Sequence, residues 1–124
     1  MCPFYSAFCD IKIEKAYASA EKLGVDKSHC YADYKEMLEK EELDAIDICT
    51  PNYLHSIVAV DALNKGIHVF CEKPITINYD LSCEMAQKAQ EKGKILNIGV
   101  CNRFHNGVRV LKKLIDEGMF GDIF

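Results

Sequence analysis

Residues able to carry out chemistry follow short apolar runs at four places in the sequence. A lysine in such a position can ionise and donate hydrogen bonds to a ligand. Carboxylate, amide, imidazole and guanidinium groups at the other positions can hydrogen-bond to a ligand. The residues are Asp10, then Thr50, Pro51, Asn52 and His55, then Glu72, Lys73 and Pro74, and finally Asn102 and Arg103.

Alternating strands and helices must position these residues. Apolar runs predict strands at residues 4–9, 45–49, 67–71 and 95–100, a weak strand at 29–31, and the opening of another at 121–124. Residues recurring at helical spacing predict helices at 12–23, at about 53–64, at 78–92 and from about 104 to 115, and Asp33 caps a further short one. Gly24, Gly66, Gly93 and Gly118 stand where these helices should stop.

Strands buried on both faces and separated by crossover helices predict an α/β fold with a doubly wound parallel sheet. In such sheets ligands bind beyond the carboxyl ends of the strands. The polar residues that follow each strand are therefore expected to meet at one edge of the sheet.

Composition excludes several classes of function. The chain has 124 residues and a net charge of −4, which argues against a nucleic-acid partner. No apolar run approaches the length of a membrane span, and the first residues show no export signal, so a cytoplasmic location is expected. Seven cysteines at irregular spacings predict small buried thiols rather than disulfides, and with the histidines they predict no metal site.

Three short motifs carry a resemblance to a known family. They are T-P-N-x-x-H at residues 50–55, E-K-P at 72–74 and N-R-F at 102–104, each at a predicted strand end. Together they resemble the glucose–fructose oxidoreductase / inositol dehydrogenase / MocA (Gfo/Idh/MocA) family. The resemblance implies a Rossmann-like domain of an NAD(P)-dependent oxidoreductase. Such an enzyme transfers hydride between a nicotinamide cofactor and a sugar, polyol or related secondary alcohol.

The resemblance assigns cofactor contacts to the earlier motifs. Asp10 would accept hydrogen bonds from the adenosine ribose and repel a 2′-phosphate, which favours NAD over NADP; alternatively it only caps a helix. Thr50, Pro51 and Asn52 would pack along the dinucleotide, with an N-cap as a second role for Asn52. His55 would contact the cofactor or be a structural residue.

The later motifs would hold the reaction centre. Lys73 would lie between the nicotinamide and the reacting carbon as the catalytic residue, the alternative being a solvated surface lysine. Glu72 would contact the cofactor or pair with Lys73, and Pro74 would keep Lys73 extended. Asn102 and Arg103 would close the far side of the site, with helix capping as the alternative for Asn102.

The sequence departs from the family at both ends. The first strand and its glycine-rich turn are lacking, and that strand is central in the usual order 3-2-1-4-5-6, so two strand edges should be unpaired. Residues 1–120 are expected to form a partial dinucleotide-binding domain, and 121–124 the start of a C-terminal α+β substrate domain. The full-length protein is expected to be a homo-oligomer. A catalytically inactive remnant that acts as a binding module is the alternative function.

Overall fold

The computed structural model describes residues 4–123, in which strands and helices alternate. The strands are β1 (Phe8–Cys9), β2 (Cys30–Tyr31), β3 (Ala45–Ile48), β4 (His68–Cys71) and β5 (Leu96–Ile98). The helices are α1 (Ile13–Leu23), α2 (Tyr34–Lys40), α3 (His55–Asn64), α4 (Tyr79–Lys92) and α5 (Asn106–Asp116). Short 3-10 turns lie at Lys27–His29, Asn52–Leu54 and Cys101–Phe104.

All strand pairs in the described residues are parallel, which confirms the predicted α/β class. They form two sheets, one of β1 and β2 and one in the order β3-β4-β5. Ile48 is opposite Cys71, and Cys71 is opposite Ile98, so these three strands end at the same edge.

The hydrophobic core surrounds α3. Ala59, Ala62 and Leu63 are fully buried on this helix and pack with residues of β3, β4 and α4. Leu38 of α2 joins the same cluster. The apolar residues of α3 are packed against the sheet because their burial, about 25 cal/mol per Å², is the main favourable term in folding.

Helix ends follow the local signals in the sequence. Asp33 accepts a hydrogen bond from the Lys35 amide and begins α2, while Asn78 accepts from the Asp80 amide and begins α4. Gly24 and Gly93 end α1 and α4 with φ of 73° and 61°, a left-handed conformation that favours glycine. These caps were predictable because each depends on residues adjacent in sequence.

Three strand predictions are wrong in extent, one of them because the strand expected at residues 95–100 is reduced to Leu96–Ile98. The strand expected at residues 4–9 is reduced to Phe8–Cys9, because its described partner β2 is equally short. Residues 121–123 form no strand, and residue 124 lies outside the described residues. The last predicted helix is confirmed as α5, but it buries no residue within 4–123, and Leu111 is 47 % exposed.

Among the cysteines within residues 4–123, the prediction of buried thiols is correct only for Cys71. Cys9 and Cys30 are half-buried, whereas Cys49, Cys83 and Cys101 are exposed. All six of these described cysteines are free. Among residues 4–123, none of the helices combines the length and apolar content that crossing a membrane requires.

Candidate functional site

The turns after β3, β4 and β5 meet at the carboxyl edge of the larger sheet. Backbone hydrogen bonds continue past the strands: the Glu72 amide donates to the Ile48 carbonyl at 3.0 Å, and the Gly99 amide donates to the Cys71 carbonyl at 2.8 Å. The residues that follow each strand are consequently held side by side. This edge brings together the T-P-N turn (residues 50–52) and the K-P turn (residues 73–74).

The side chain of His55 contacts both of these turns. Its side chain is buried, at 1 % exposure, at the start of α3. Nδ1 lies 2.9 Å from the Pro74 carbonyl oxygen, and Nε2 lies 2.9 Å from the Thr50 carbonyl oxygen. The ring is covered and both nitrogens face backbone carbonyl oxygens, an arrangement expected of a structural residue; the predicted contact of His55 with a cofactor stays a prediction.

Glu72 lies across the end of β5. A Cβ placed on the buried Gly99 would be 3.2 Å from Oε1 of Glu72, so the carboxylate occupies space that the glycine leaves open. The backbone amide of Lys73 donates to Oε2 of Glu72 at 3.1 Å. Glu72 thus pairs with the main chain of Lys73; within residues 4–123 no ion pair joins the two side chains.

Lys73 is exposed at this edge, directly after the end of β4. The peptide bond between Lys73 and Pro74 is cis. The backbone of Lys73 is held by Glu72 before it, and the carbonyl of Pro74 faces His55 after it. The structure therefore fixes the main chain on both sides of the lysine while its side chain stays open to solvent.

Asp10 follows β1 at the end of the smaller sheet. Its amide donates to the Tyr31 carbonyl at 3.1 Å, and its Oδ1 accepts from the Lys12 amide at 2.8 Å. This local turn precedes α1, whose N-cap is Lys12, so Asp10 does not cap the helix itself. Oδ2 accepts no hydrogen bond from residues 4–123 and is available to a ligand hydroxyl.

The remaining predicted residues surround the same edge. Thr50 and Pro51 are exposed and Asn52 is half-buried; Pro51, not Asn52, is the N-cap of the 3-10 turn. Asn102 and Arg103 are exposed in the turn after β5. The capping role considered for Asn102 is also wrong, since His105 accepts from the Gly107 amide and begins α5.

Thiols near the edge remain protonated. Burial raises the pKa of Cys71 to about 11, and partial desolvation of the exposed Cys49, together with the Asp47 carboxylate, raises its pKa to about 11. A protonated thiol is a poor nucleophile and a poor metal ligand. Within residues 4–123 no group of three or more histidine, cysteine or acidic side chains could hold a metal ion. Among the described residues, the polar turns rather than the thiols are therefore the groups at this edge that could hold a ligand.

Gly99 is the site residue that sequence reasoning missed. Its only signal was a glycine at the end of a predicted strand, and such a glycine often marks a close approach of another group. The group that approaches, Glu72, could be identified only after the register of β4 and β5 was known.

Comparison with known proteins agrees with the geometry. Residues 5–100 match the sequence pattern of GFO_IDH_MocA, an oxidoreductase family with an NAD-binding Rossmann fold. The 2,7-anhydro-N-acetylneuraminate hydratase of Mediterraneibacter gnavus is 37 % identical over 110 residues, covering 89 % of this chain and 29 % of the relative. The chain thus spans less than a third of the length of that protein.

Solved structures reproduce the fold over nearly the whole chain. The myo-inositol 2-dehydrogenase of Lactobacillus plantarum has a TM-score of 0.82 at 30 % identity, covering 96 % of this chain and 35 % of that one. KijD10, a 3-ketoreductase of Actinomadura kijaniata solved with TDP-benzene and NADP, has a TM-score of 0.84 at 27 % identity. The coverage there is 96 % of this chain and 37 % of that one.

Proposed function

The chain belongs to the Gfo/Idh/MocA oxidoreductase family, and from this membership we propose that it binds a nicotinamide dinucleotide at the carboxyl edge of its strands. The complete enzyme would transfer hydride between the cofactor and a secondary alcohol carbon of a sugar or polyol. The observation that carries the proposal is that the T-P-N turn and the K-P turn lie side by side, both in contact with His55.

Lys73 is the residue that we propose for proton transfer. Its backbone is held on both sides, and its exposed side chain can reach a substrate bound above the edge. An ammonium group there would hydrogen-bond the substrate oxygen, stabilise negative charge and exchange the proton that leaves or joins the hydroxyl. The cofactor supplies the hydride acceptor or donor when it is bound.

The turns around Lys73 would hold the nicotinamide half of the cofactor. Thr50, Pro51 and Asn52 offer a polar surface beside the dinucleotide, and Glu72 presents a carboxylate next to the lysine backbone. Asn102 and Arg103, from the turn after β5, would contact cofactor or substrate oxygens. The described residues fit such a ligand because the polar groups of these turns are exposed or half-buried at one edge.

Asp10 would select the adenosine half. Its carboxylate is oriented by the Lys12 amide, with Oδ2 available for ribose hydroxyls. A negative charge there repels a 2′-phosphate, so we propose NAD in preference to NADP. KijD10, whose fold is similar, was solved with NADP, so a protein of this fold can hold the phosphorylated cofactor.

The rest of the enzyme is proposed from the same membership. Residues 1–120 would be part of the dinucleotide-binding domain, and 121–124 would lead into an α+β substrate domain. The full-length protein would be a homo-oligomer acting on a small carbohydrate-like substrate. The free described cysteines agree with the cytoplasmic location that we propose.

Titration of the chain with NADH and NADPH, followed by nucleotide fluorescence, tests the proposal. We expect saturable NADH binding that is tighter than NADPH binding, and Asp10→Ala should reduce that preference. Asp26→Ala is the matched control, because Asp26 also accepts from the amide two residues on, at 2.8 Å, but in the turn before β2. A folded chain that binds neither nucleotide would favour the alternative of a non-catalytic binding module.

A further inference from the structure

His55 is a buried polar side chain in contact with two separate turns of the site. It is 1 % exposed, and each ring nitrogen lies 2.9 Å from a backbone carbonyl oxygen. Thr50 is five positions before His55 in the sequence, so this contact lies within the turn that leads into α3. The contact to Pro74 spans 19 residues and joins the end of β3 to the end of β4.

The chemistry of the two contacts restricts the state of the ring. A carbonyl oxygen accepts hydrogen bonds but cannot donate, so a ring nitrogen makes a favourable contact there only when it carries hydrogen. A neutral imidazole carries one such hydrogen, and an imidazolium carries two. The contact from Nδ1 is the one that reaches the K-P turn.

We propose that His55 is a positioning residue for Lys73, acting through an Nδ1–H group that donates to the Pro74 carbonyl. Pro74 follows Lys73 directly, so the hydrogen bond fixes the main chain just after the lysine. The Glu72 carboxylate fixes the main chain just before it, by accepting from the Lys73 amide. The catalytic meaning of this inference rests on the proposed function, whereas the hydrogen bond itself does not.

Two substitutions separate the two contacts. In His55→Asn the side-chain amide nitrogen takes approximately the place of Nδ1, so the link to Pro74 can be kept. In His55→Gln the amide nitrogen takes approximately the place of Nε2, so only the local link to Thr50 can be kept. His29→Gln is the control for a histidine away from this edge, since the His29 side chain is 48 % exposed and pairs with Glu41.

Hydrogen exchange on the 124-residue chain measures the effect of each hydrogen bond of His55, and NADH binding is measured on the same chain. The Lys73 amide reports the K-P turn, and the Leu54 amide, which donates to Pro51, reports the T-P-N turn. In His55→Gln we expect the Lys73 amide hydrogen to exchange about 10-fold faster than in the wild type. In His55→Asn we expect the same increase for the Leu54 amide hydrogen. Loss of one buried hydrogen bond has about this effect. NADH binding by the wild-type chain is measured in parallel and tests the proposed function separately.

Each outcome decides the proposal. Equal effects of the two variants at Lys73 would overturn it, because they would show that the ring only fills space. If both variants fail to fold, the ring nitrogens of His55 in the wild-type chain can be observed by nitrogen-15 NMR. Hydrogen on Nδ1 would support the proposal, and a bare Nδ1 would overturn it. Wild-type chain that binds no NADH but shows the expected exchange pattern would contradict the proposed function and leave the positioning role intact.

Discussion

Replacing Gly99 by alanine would place a methyl group against the carboxylate of Glu72. The added Cβ would lie 3.2 Å from Oε1 and 3.3 Å from both Cδ and Oε2, closer than the ordinary contact range, which begins at 3.4 Å. Gly99 is not among the glycines with positive φ, so the backbone conformation itself does not exclude alanine. The strain therefore falls on the carboxylate, which must move by a few tenths of an ångström.

Two opposing contributions set the size of the effect. Alanine reduces the conformational freedom of the unfolded chain, which stabilises the fold by about 0.4–1 kcal/mol. Moving the half-buried Glu72 carboxylate weakens the bond from the Lys73 amide, which is worth about 0.5–1.5 kcal/mol. We expect Gly99→Ala to change the free energy of unfolding by between about +0.5 and about −1 kcal/mol in the wild-type background.

A double-mutant cycle with Glu72→Ala isolates the contact. In the Glu72→Ala background the new methyl group meets no carboxylate, so Gly99→Ala should raise the free energy of unfolding by about 0.4–1 kcal/mol. Urea denaturation of the wild type, both single variants and the double variant gives the coupling energy, and exchange of the Lys73 amide reports its lost bond. Stabilisation of both backgrounds by the same amount would refute the contact between Gly99 and Glu72.

Three further predictions concern the chemistry, the pH dependence and the core. In an enzyme that contains this chain, Lys73→Ala should reduce turnover by about 100-fold or more while NAD affinity changes little; unchanged turnover in steady-state assays would remove the lysine from the mechanism. The Tyr31 hydroxyl donates to Glu41 at 2.5 Å and lowers the pKa of that carboxyl from its ordinary value of 4.5. The stabilisation that this hydrogen bond gives the fold is therefore present above pH 4.5 and is lost as the pH falls through the lowered pKa. Tyr31→Phe should therefore be less stable than wild type at pH 7, with the difference shrinking below pH 4.5 in urea titrations; a difference that persists at low pH would contradict this linkage. Leu63→Ala should destabilise the chain by about 2–5 kcal/mol, whereas the control Leu23→Ala, at a position 55 % exposed, should cost far less in thermal denaturation; similar losses would contradict the assigned core.

Local signals explain how much of the fold could be predicted. Asp33 and Asn78 begin helices, and Gly24 and Gly93 end them. Each does so through bonds to residues a few positions away, so these roles follow from the sequence. The parallel arrangement followed from the alternation of strand and helix patterns. The strand expected at 121–124 failed because a strand exists only where a partner pairs with it, and residues 121–123 have none within the described chain.

The site was predictable as a set of turns but not as a set of contacts. The motifs around Thr50 and Lys73 could be placed at strand ends by pattern alone. The burial of His55 could not be predicted from the pattern, because its contact with Pro74 depends on how the ends of β3 and β4 lie in register. The capping alternative for Asn102 is wrong for a local reason: His105, three residues later, accepts from the Gly107 amide and begins α5.

The separation of the two sheets has a consequence for cooperativity. The main core cluster contains residues from α2 onward, whereas the buried Ala16, Ala20 and Tyr31 of the first part lie outside it. Leu38 in that cluster, and the bond from the Tyr34 hydroxyl to Asp61, connect α2 to the larger sheet. We expect the part that holds β1 to open at lower free energy than the global transition, as a separate unfolding unit. A bound dinucleotide would then lose its adenosine contacts before its nicotinamide contacts.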